Sequence, residues 1–135
     1  MLSQVLLVED NAGDALLIGQ ALKEALISVH LHIARDGEQA LQILGERDFK
    51  PDLIILDLNL PKLSGYSVLA FCLKTTPVVV FTSSLNDTDE VRAMSLGARE
   101  FVRKPIELQD YKTAVCRIVR RWAEPTHNGE AALPV

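Results

Sequence analysis

The chain has little cysteine, no excess of positive charge and no long apolar run, and each shortage removes a class of function. Its two cysteines, Cys72 and Cys116, sit in apolar helical stretches without the spacing of a metal site. They read as buried free thiols in a reducing compartment, which points to the cytoplasm. Lys and Arg number 14 against 18 Asp and Glu, a net charge of −4. That balance argues against a general nucleic-acid binder. No apolar stretch approaches the roughly 20 residues that cross a bilayer. Met1-Leu2-Ser3-Gln4 has no basic region, and Glu9-Asp10 breaks the apolar run that follows, so no signal peptide is expected. The patterns Gly-x4-Gly-Lys and Gly-x-Gly-x-x-Gly are both missing, which leaves nucleotide binding without support. Internal repeats and low-complexity segments are absent too.

What is present fits one compact domain. The 135 residues are 48% hydrophobic, enough for a core. Its centre is Pro51-Asp-Leu-Ile-Ile-Leu-Asp57-Leu-Asn-Leu-Pro61. Leu53 to Leu56 run unbroken without polar alternation, the pattern of a strand buried on both faces of a parallel sheet. Strands are also expected at Gln4 to Val8, Val29 to Ala34, Val78 to Phe81 and Glu100 to Arg103. Between them the spacing predicts helices from Ala12 to about Ser28, after Asp36, from Ser64-Gly65 to about Lys74, from Asn86 or Asp87 through Leu96, and from Leu108 to Trp122. Five strands alternating with five helices imply an α/β fold, a parallel sheet with helices on both faces. Residues 1–124 form the domain in this reading, and 125–135 a flexible tail. His30 and His32 share one face of the second strand. With no third ligand nearby, they read as exposed residues near a sheet edge.

The strand ends carry the chemistry. Glu9 and Asp10 follow the first strand, Asp57 the third, Thr82 the fourth and Lys104 the fifth. Taken alone, Asp57 either caps a turn or marks a site. In a parallel sheet, however, all these ends lie on one edge, where open α/β folds place their ligands. Three acids with one ammonium leave excess negative charge, which a cation relieves. Hard oxygen ligands of this kind favour Mg²⁺ and leave positions for phosphoryl oxygens.

At this point four segments resemble the receiver domains of two-component response regulators. They are Val5-Leu-Leu-Val-Glu-Asp-Asn11, Asp52 through Pro61, Pro77-Val-Val-Val-Phe-Thr-Ser83 and Gly97-Ala-Arg-Glu-Phe-Val-Arg-Lys-Pro105, and they run from end to end to about residue 123. The wording Asp57-Leu-Asn-Leu-Pro-Lys62 also resembles small phytochrome-associated regulators. The resemblance implies a flavodoxin-like (βα)5 fold and assigns roles residue by residue. Asp57 is the phospho-accepting aspartate. Asp10 binds Mg²⁺ directly, Glu9 through water, and Asn59 by its backbone carbonyl. Thr82 contacts the phosphoryl group and Lys104 pairs with it. Phe101 is the aromatic that turns inward on activation, and Pro105 follows a cis bond. The implied partners are a sensor histidine kinase or histidine phosphotransfer protein and a separate downstream protein, with no nucleic acid or membrane. A homodimer is allowed.

Two departures stand out. The segment from Gly65 to Pro77 is several residues shorter than the family's, and Phe101 stands where tyrosine is commoner. Phe101 has no hydroxyl, so its inward state rests on packing. The expected output is a conformational change on the face made by the fourth helix, last strand and last helix. There Arg103, Lys112, Arg117, Arg120 and Arg121 are either solvated cations or a docking face for an acidic partner. Competing functions are a relay that passes the phosphoryl group on, an aspartyl-phosphate phosphatase on a similar fold, and a scaffold that is never phosphorylated. The phosphatase needs an acid two residues after Asp57, where Asn59 cannot donate the proton. The full acid, Thr82 and Lys104 set counts against the inert scaffold. Beyond accepting and slowly losing its own phosphoryl group, no enzymatic activity is expected.

Overall fold

A computed structural model describes residues 2–72 and 76–123. The expected tail at 125–135 lies outside them. The chain alternates β1 (Ser3–Val8), α1 (Ala12–Glu24), β2 (Val29–Ala34), α2 (Gly37–Leu44), β3 (Leu53–Leu56), α3 (Gly65–Phe71), β4 (Val78–Thr82), α4 (Asp87–Ser95), β5 (Glu100–Arg103) and α5 (Leu108–Trp122). All strand pairs are parallel, in the order β2-β1-β3-β4-β5. The winding reverses beside β1, so a crevice opens at the carboxyl ends of β1 and β3.

The unbroken aliphatic runs are explained by parity. Val5, Leu7, Leu53, Ile55, Val79 and Phe81 face one core, filled by Ile18 and Leu22 of α1 and Ile118 and Val119 of α5. Leu6, Val8, Ile54, Leu56, Val78 and Val80 face a second core, closed by Ala40 of α2, Val68 and Leu69 of α3 and Ala93 of α4. The aliphatic runs of β1, β3 and β4 therefore have no polar face to offer.

Helix starts match the sequence reading. The side chains of Asn11, Asp36, Ser64 and Asn86 cap α1, α2, α3 and α4. Helix ends differ. α1 stops at Glu24, four residues before the expected Ser28, because the chain closes in a Schellman motif. Leu26 N–H donates to the carbonyl of Lys23 (3.1 Å) and Ile27 N–H to that of Leu22 (2.9 Å). Leu26 takes the left-handed position at φ 58°, where glycine is usual. The same motif ends α4, with Gly97 at φ 111°. Leu26 is 89% exposed, so its side chain contributes almost no packing. Leu26→Gly should therefore stabilise the fold by about 0.5–1 kcal/mol, the left-handed penalty less the added freedom of the unfolded chain. A urea midpoint that falls on substitution would refute this.

α3 stops at Phe71, short of the expected Lys74, which lies outside the described residues. The physical constraint is Pro77. It biases Thr76 to extended backbone, and only five residues separate Phe71 from it. The seven-residue α3 is the shortest of the five helices.

β2 is an edge strand, as the histidines suggested. His30 is exposed, but His32 is half-buried, edge-on to Phe49 with centroids 4.8 Å apart. Gln4 links both, with its amide nitrogen 3.1 Å from His30 Nδ1 and its oxygen 2.6 Å from His32 Nε2. Cys116 is buried, Cys72 is half-buried, and both are free. Leu108, at the start of α5, is largely exposed. Among the described residues, no helix is long and apolar enough to cross a membrane.

Candidate functional site

β1 and β3 deliver their acids side by side. The backbone N–H of Asp57 donates to the carbonyl of Val8 (3.0 Å), so the ladder continues one step past the end of β3. Glu9, Asp10 and Asp57 thereby bring carboxylate oxygens within 4.8 Å of one another, the one such group of three or more metal-ligating side chains among the described residues. Glu9 and Asp57 are buried and Asp10 is exposed, so the cluster opens to solvent on the Asp10 side.

Lys104 enters from the end of β5. Its Nζ lies 2.7 Å from Glu9 Oε1, 3.2 Å from Asp57 Oδ2 and 3.3 Å from Asp14 Oδ2. The side chain is only 6% exposed. Burial opposes its charge, but Glu9, Asp57 and Asp14 outweigh burial and hold the ammonium above its usual range. Burial pushes the carboxyl of Glu9 up to about 7, against the hydrogen bond from Lys104 and with the help of the Asp57 charge. Three carboxylates contact the one ammonium, and Asp10 adds a fourth to the cluster. Oxygen donors with a net negative charge fit a hard divalent cation.

The Glu9 shift makes a prediction. The folded protein keeps that proton up to about pH 7, whereas the unfolded chain loses it near 4.5. The folded state thus binds more protons between these values, and stability should fall as pH rises through that window. The loss should be roughly 2–3 kcal/mol without divalent metal. Glu9→Gln should flatten the slope. Equal slopes for the two proteins, from denaturant unfolding at pH 4.5 and 7.5, would exclude Glu9 as the source.

Thr82, fully buried at the end of β4, accepts a hydrogen bond at Oγ1 from the N–H of Ser84 (3.3 Å). Ser84 is tied twice more. Its hydroxyl donates to Asp89 Oδ2 (2.5 Å) and its carbonyl accepts from Arg103 Nε (3.1 Å). Tyr66 of α3 donates to the other oxygen of Asp89, and Arg92 stacks 3.9 Å over the Tyr66 ring. The hydrogen bonds from Ser84 and Tyr66 hold the Asp89 carboxyl below its usual range.

Residues 5–116 match the response regulator receiver domain model. The chain belongs to the response regulator receiver family. Rcp1 of Synechocystis sp. is 38% identical over 130 residues, 89% of this chain and 88% of Rcp1. The structure of the phosphorylated cyanobacterial phytochrome response regulator RcpA superposes with a TM-score of 0.83 at 36% identity, covering 90% of this chain and 94% of RcpA. The Mn²⁺-bound form of Rcp1 gives the same TM-score and identity, covering 98% of this chain and 99% of that one. The receiver fold and the likeness to phytochrome-associated regulators both stand.

Not every expectation about this receiver does. The Lys104–Pro105 peptide is trans, the lower-energy default for a bond before proline, and not cis. Lys104 reaches its acids from that geometry. Phe101 is half-buried and packs against the second core beside Ala93 and Ala98. Most cations expected on the α4, β5 and α5 face are paired within the chain. Arg103 meets Asp87 (3.0 Å) and Glu90 (3.8 Å), Lys112 meets Glu24 (2.9 Å), and Arg117 meets Glu100 (2.9 Å). Arg121 stacks on Trp122. That pairing leaves less free positive charge on this face than the sequence suggests.

Asn59 sits at the exposed start of the β3–α3 loop, its N–H 3.3 Å from Asp57 Oδ1. Sequence reasoning missed two neighbours of the site. Asp14 stands in the first turn of α1, where an acid suits the helix dipole, and Tyr111 on the buried side of α5. Tyr111 is buried, and its hydroxyl donates to Asp14 Oδ1 (2.5 Å). Its phenol is pushed well above the usual range, first by burial and then by Asp14.

Proposed function

We propose that this receiver accepts a phosphoryl group on Asp57 from a histidine kinase or histidine phosphotransfer protein. The observation that carries this reading is the Asp57 carboxylate, buried 3.2 Å from Lys104 Nζ and inside the acid cluster. A carboxylate oxygen of Asp57 attacks phosphorus in line, the new O–P bond forms, and the donor's P–N bond breaks. Asn59 N–H orients the carboxylate. Lys104 screens the transferred oxygens, and Thr82 can donate to one of them once its hydroxyl turns from Ser84. Glu9, Asp10, Asp57 and the Asn59 carbonyl would hold Mg²⁺, which supplies further neutralisation of phosphoryl charge when bound.

The signal in this reading is a conformational change. Thr82 draws inward, Phe101 fills the space behind it, and the face of α4, β5 and α5 changes. The phosphorylated receiver then acts on a separate protein in the cytoplasm, as either monomer or homodimer. The internal ion pairs of Arg103, Lys112 and Arg117 argue that recognition there rests on shape more than on free positive charge.

The test is incubation with a small phosphodonor, with and without Mg²⁺. One label per chain, not formed when Mg²⁺ is chelated beforehand, supports the reading. Continuous phosphate release without a retained label would turn it towards an enzyme, and no label at all would leave a scaffold. Adding beryllofluoride with Mg²⁺ should shift amide resonances across residues 86–121. Shifts confined to the neighbours of Asp57 would refute the switch.

A further inference from the structure

The carboxylates around Lys104 and those suited to Mg²⁺ are overlapping sets. Glu9 and Asp57 belong to both, Asp10 lies only in the metal cluster, and Asp14 contacts only the lysine. We propose that Asp14, oriented by Tyr111, is a positioning residue that keeps Lys104 in place while Mg²⁺ draws on Glu9 and Asp57. The inference rests on the proposed function above and deepens it.

With 6% of its side chain exposed, Lys104 cannot exchange its partners for water, and a buried ammonium without a partner is strongly unfavourable. A divalent cation at the cluster would claim the same two carboxylates, leaving three positive charges to share them. Either the lysine is displaced, or it excludes the metal, unless a further anion holds it. Asp14 is that anion, 3.3 Å from Nζ on α1.

Three details show that Asp14 is fixed for this purpose. Its backbone N–H, and not its carboxylate, takes part in the cap, donating to Asn11 Oδ1 at 2.9 Å. The carboxylate is therefore free to divide its oxygens, Oδ2 towards Lys104 and Oδ1 to the hydroxyl of Tyr111. The Tyr111 ring is itself locked edge-on against Phe81, centroids 5.2 Å apart, in the first core. A bond reaching from α5 to α1 thus sets the carboxylate that faces a lysine on the end of β5. An acid serving only the helix dipole needs no such partner.

The experiment measures Mg²⁺ affinity by titration calorimetry of the folded proteins, with no phosphodonor present. Asp14→Asn should weaken Mg²⁺ about tenfold, and Tyr111→Phe, which keeps the ring, about threefold. Removing a nearby negative charge would also weaken Mg²⁺ directly, so the decisive comparison is made in a Lys104→Met background. There Asp14→Asn should change affinity less than twofold, because the two sites act as one unit. The same tenfold loss in both backgrounds would overturn the proposal in favour of a simple field effect. No loss in either would overturn it outright.

A second readout needs no change at Lys104. The Lys104 ε-methylene resonance should stay at its buried position in Mg²⁺-saturated wild type and move to a solvent-exposed position in Asp14→Asn. An unmoved resonance would sink the idea even if affinity fell. Wild-type protein that binds no Mg²⁺ would overturn both this inference and the function beneath it, whereas normal binding with an indifferent Asp14→Asn would overturn this one alone.

Discussion

Asp57→Asn should abolish labelling by a phosphodonor while leaving the fold intact. The amide keeps the shape of the side chain and can still accept the Asn59 N–H, but it is not a nucleophile. Lys104 keeps Glu9 and Asp14 as partners, so its ammonium is not stranded. The variant has a second expected effect. The Asp57 charge helps to raise Glu9, so Glu9 should titrate at lower pH in Asp57→Asn, visible in carboxyl NMR. Labelling at the wild-type level would place the acceptor elsewhere, with Asp10 the first alternative. An unmoved Glu9 would show that burial alone sets its proton affinity.

Gly65→Ala should be among the most destabilising single-methyl additions in the chain. Gly65 opens α3, and its N–H donates to the carbonyl of Leu58 at 3.1 Å. A Cβ there would lie 2.5 Å from the carbonyl oxygen of Asp57 and 2.6 Å from Cα of Leu58. These are backbone atoms, so no rotamer change relieves the clash. Helix propensity alone would favour alanine by about 1 kcal/mol. Overpacking should outweigh it and leave a net loss of about 2–3 kcal/mol. The displaced backbone belongs to Asp57, so labelling should fall even under conditions where the variant is folded. Gly37 is a companion case, with a Cβ that would sit 2.2 Å from the carbonyl of Leu63 in the same loop. A Gly65→Ala protein with an unchanged denaturation midpoint would mean that α3 can shift away from the strand end at little cost.

These glycines mark the limit of what the sequence alone conveys. The strands follow from aliphatic runs and alternation, because a residue buried on either face of a parallel sheet must be apolar, whereas their order in the sheet is implied only by the resemblance to receiver domains. The meeting of Glu9, Asp10, Asp57 and Lys104 follows from the same topology, which places all strand ends on one edge. The Asp14–Tyr111 bond does not, since the two residues are 97 apart in sequence and meet only once α1 and α5 share a core. The same holds for Arg117 with Glu100 and Lys112 with Glu24. Their cations looked free in the sequence because the neutralising acids lie on other elements. The end of α1 escaped for a local reason. Nothing in Leu26 announces a left-handed residue, and the turn that demands one is set by where β2 must begin.

Ser84 meets Thr82, Asp89 and Arg103 through its N–H, its hydroxyl and its carbonyl. A residue fastened on three sides cannot yield to one neighbour without disturbing the others. In the proposed switch, releasing the Thr82 hydroxyl would disturb the bonds to α4 and β5 together, which gives the loop a threshold. Part of that threshold is electrostatic and open to solvent, because Arg103 also pairs with the exposed Asp87 and Glu90. Exposed pairs weaken as ions accumulate. Under the proposed switch, ionic strength should therefore tune how readily the receiver responds, through residues that never touch the reacting atoms.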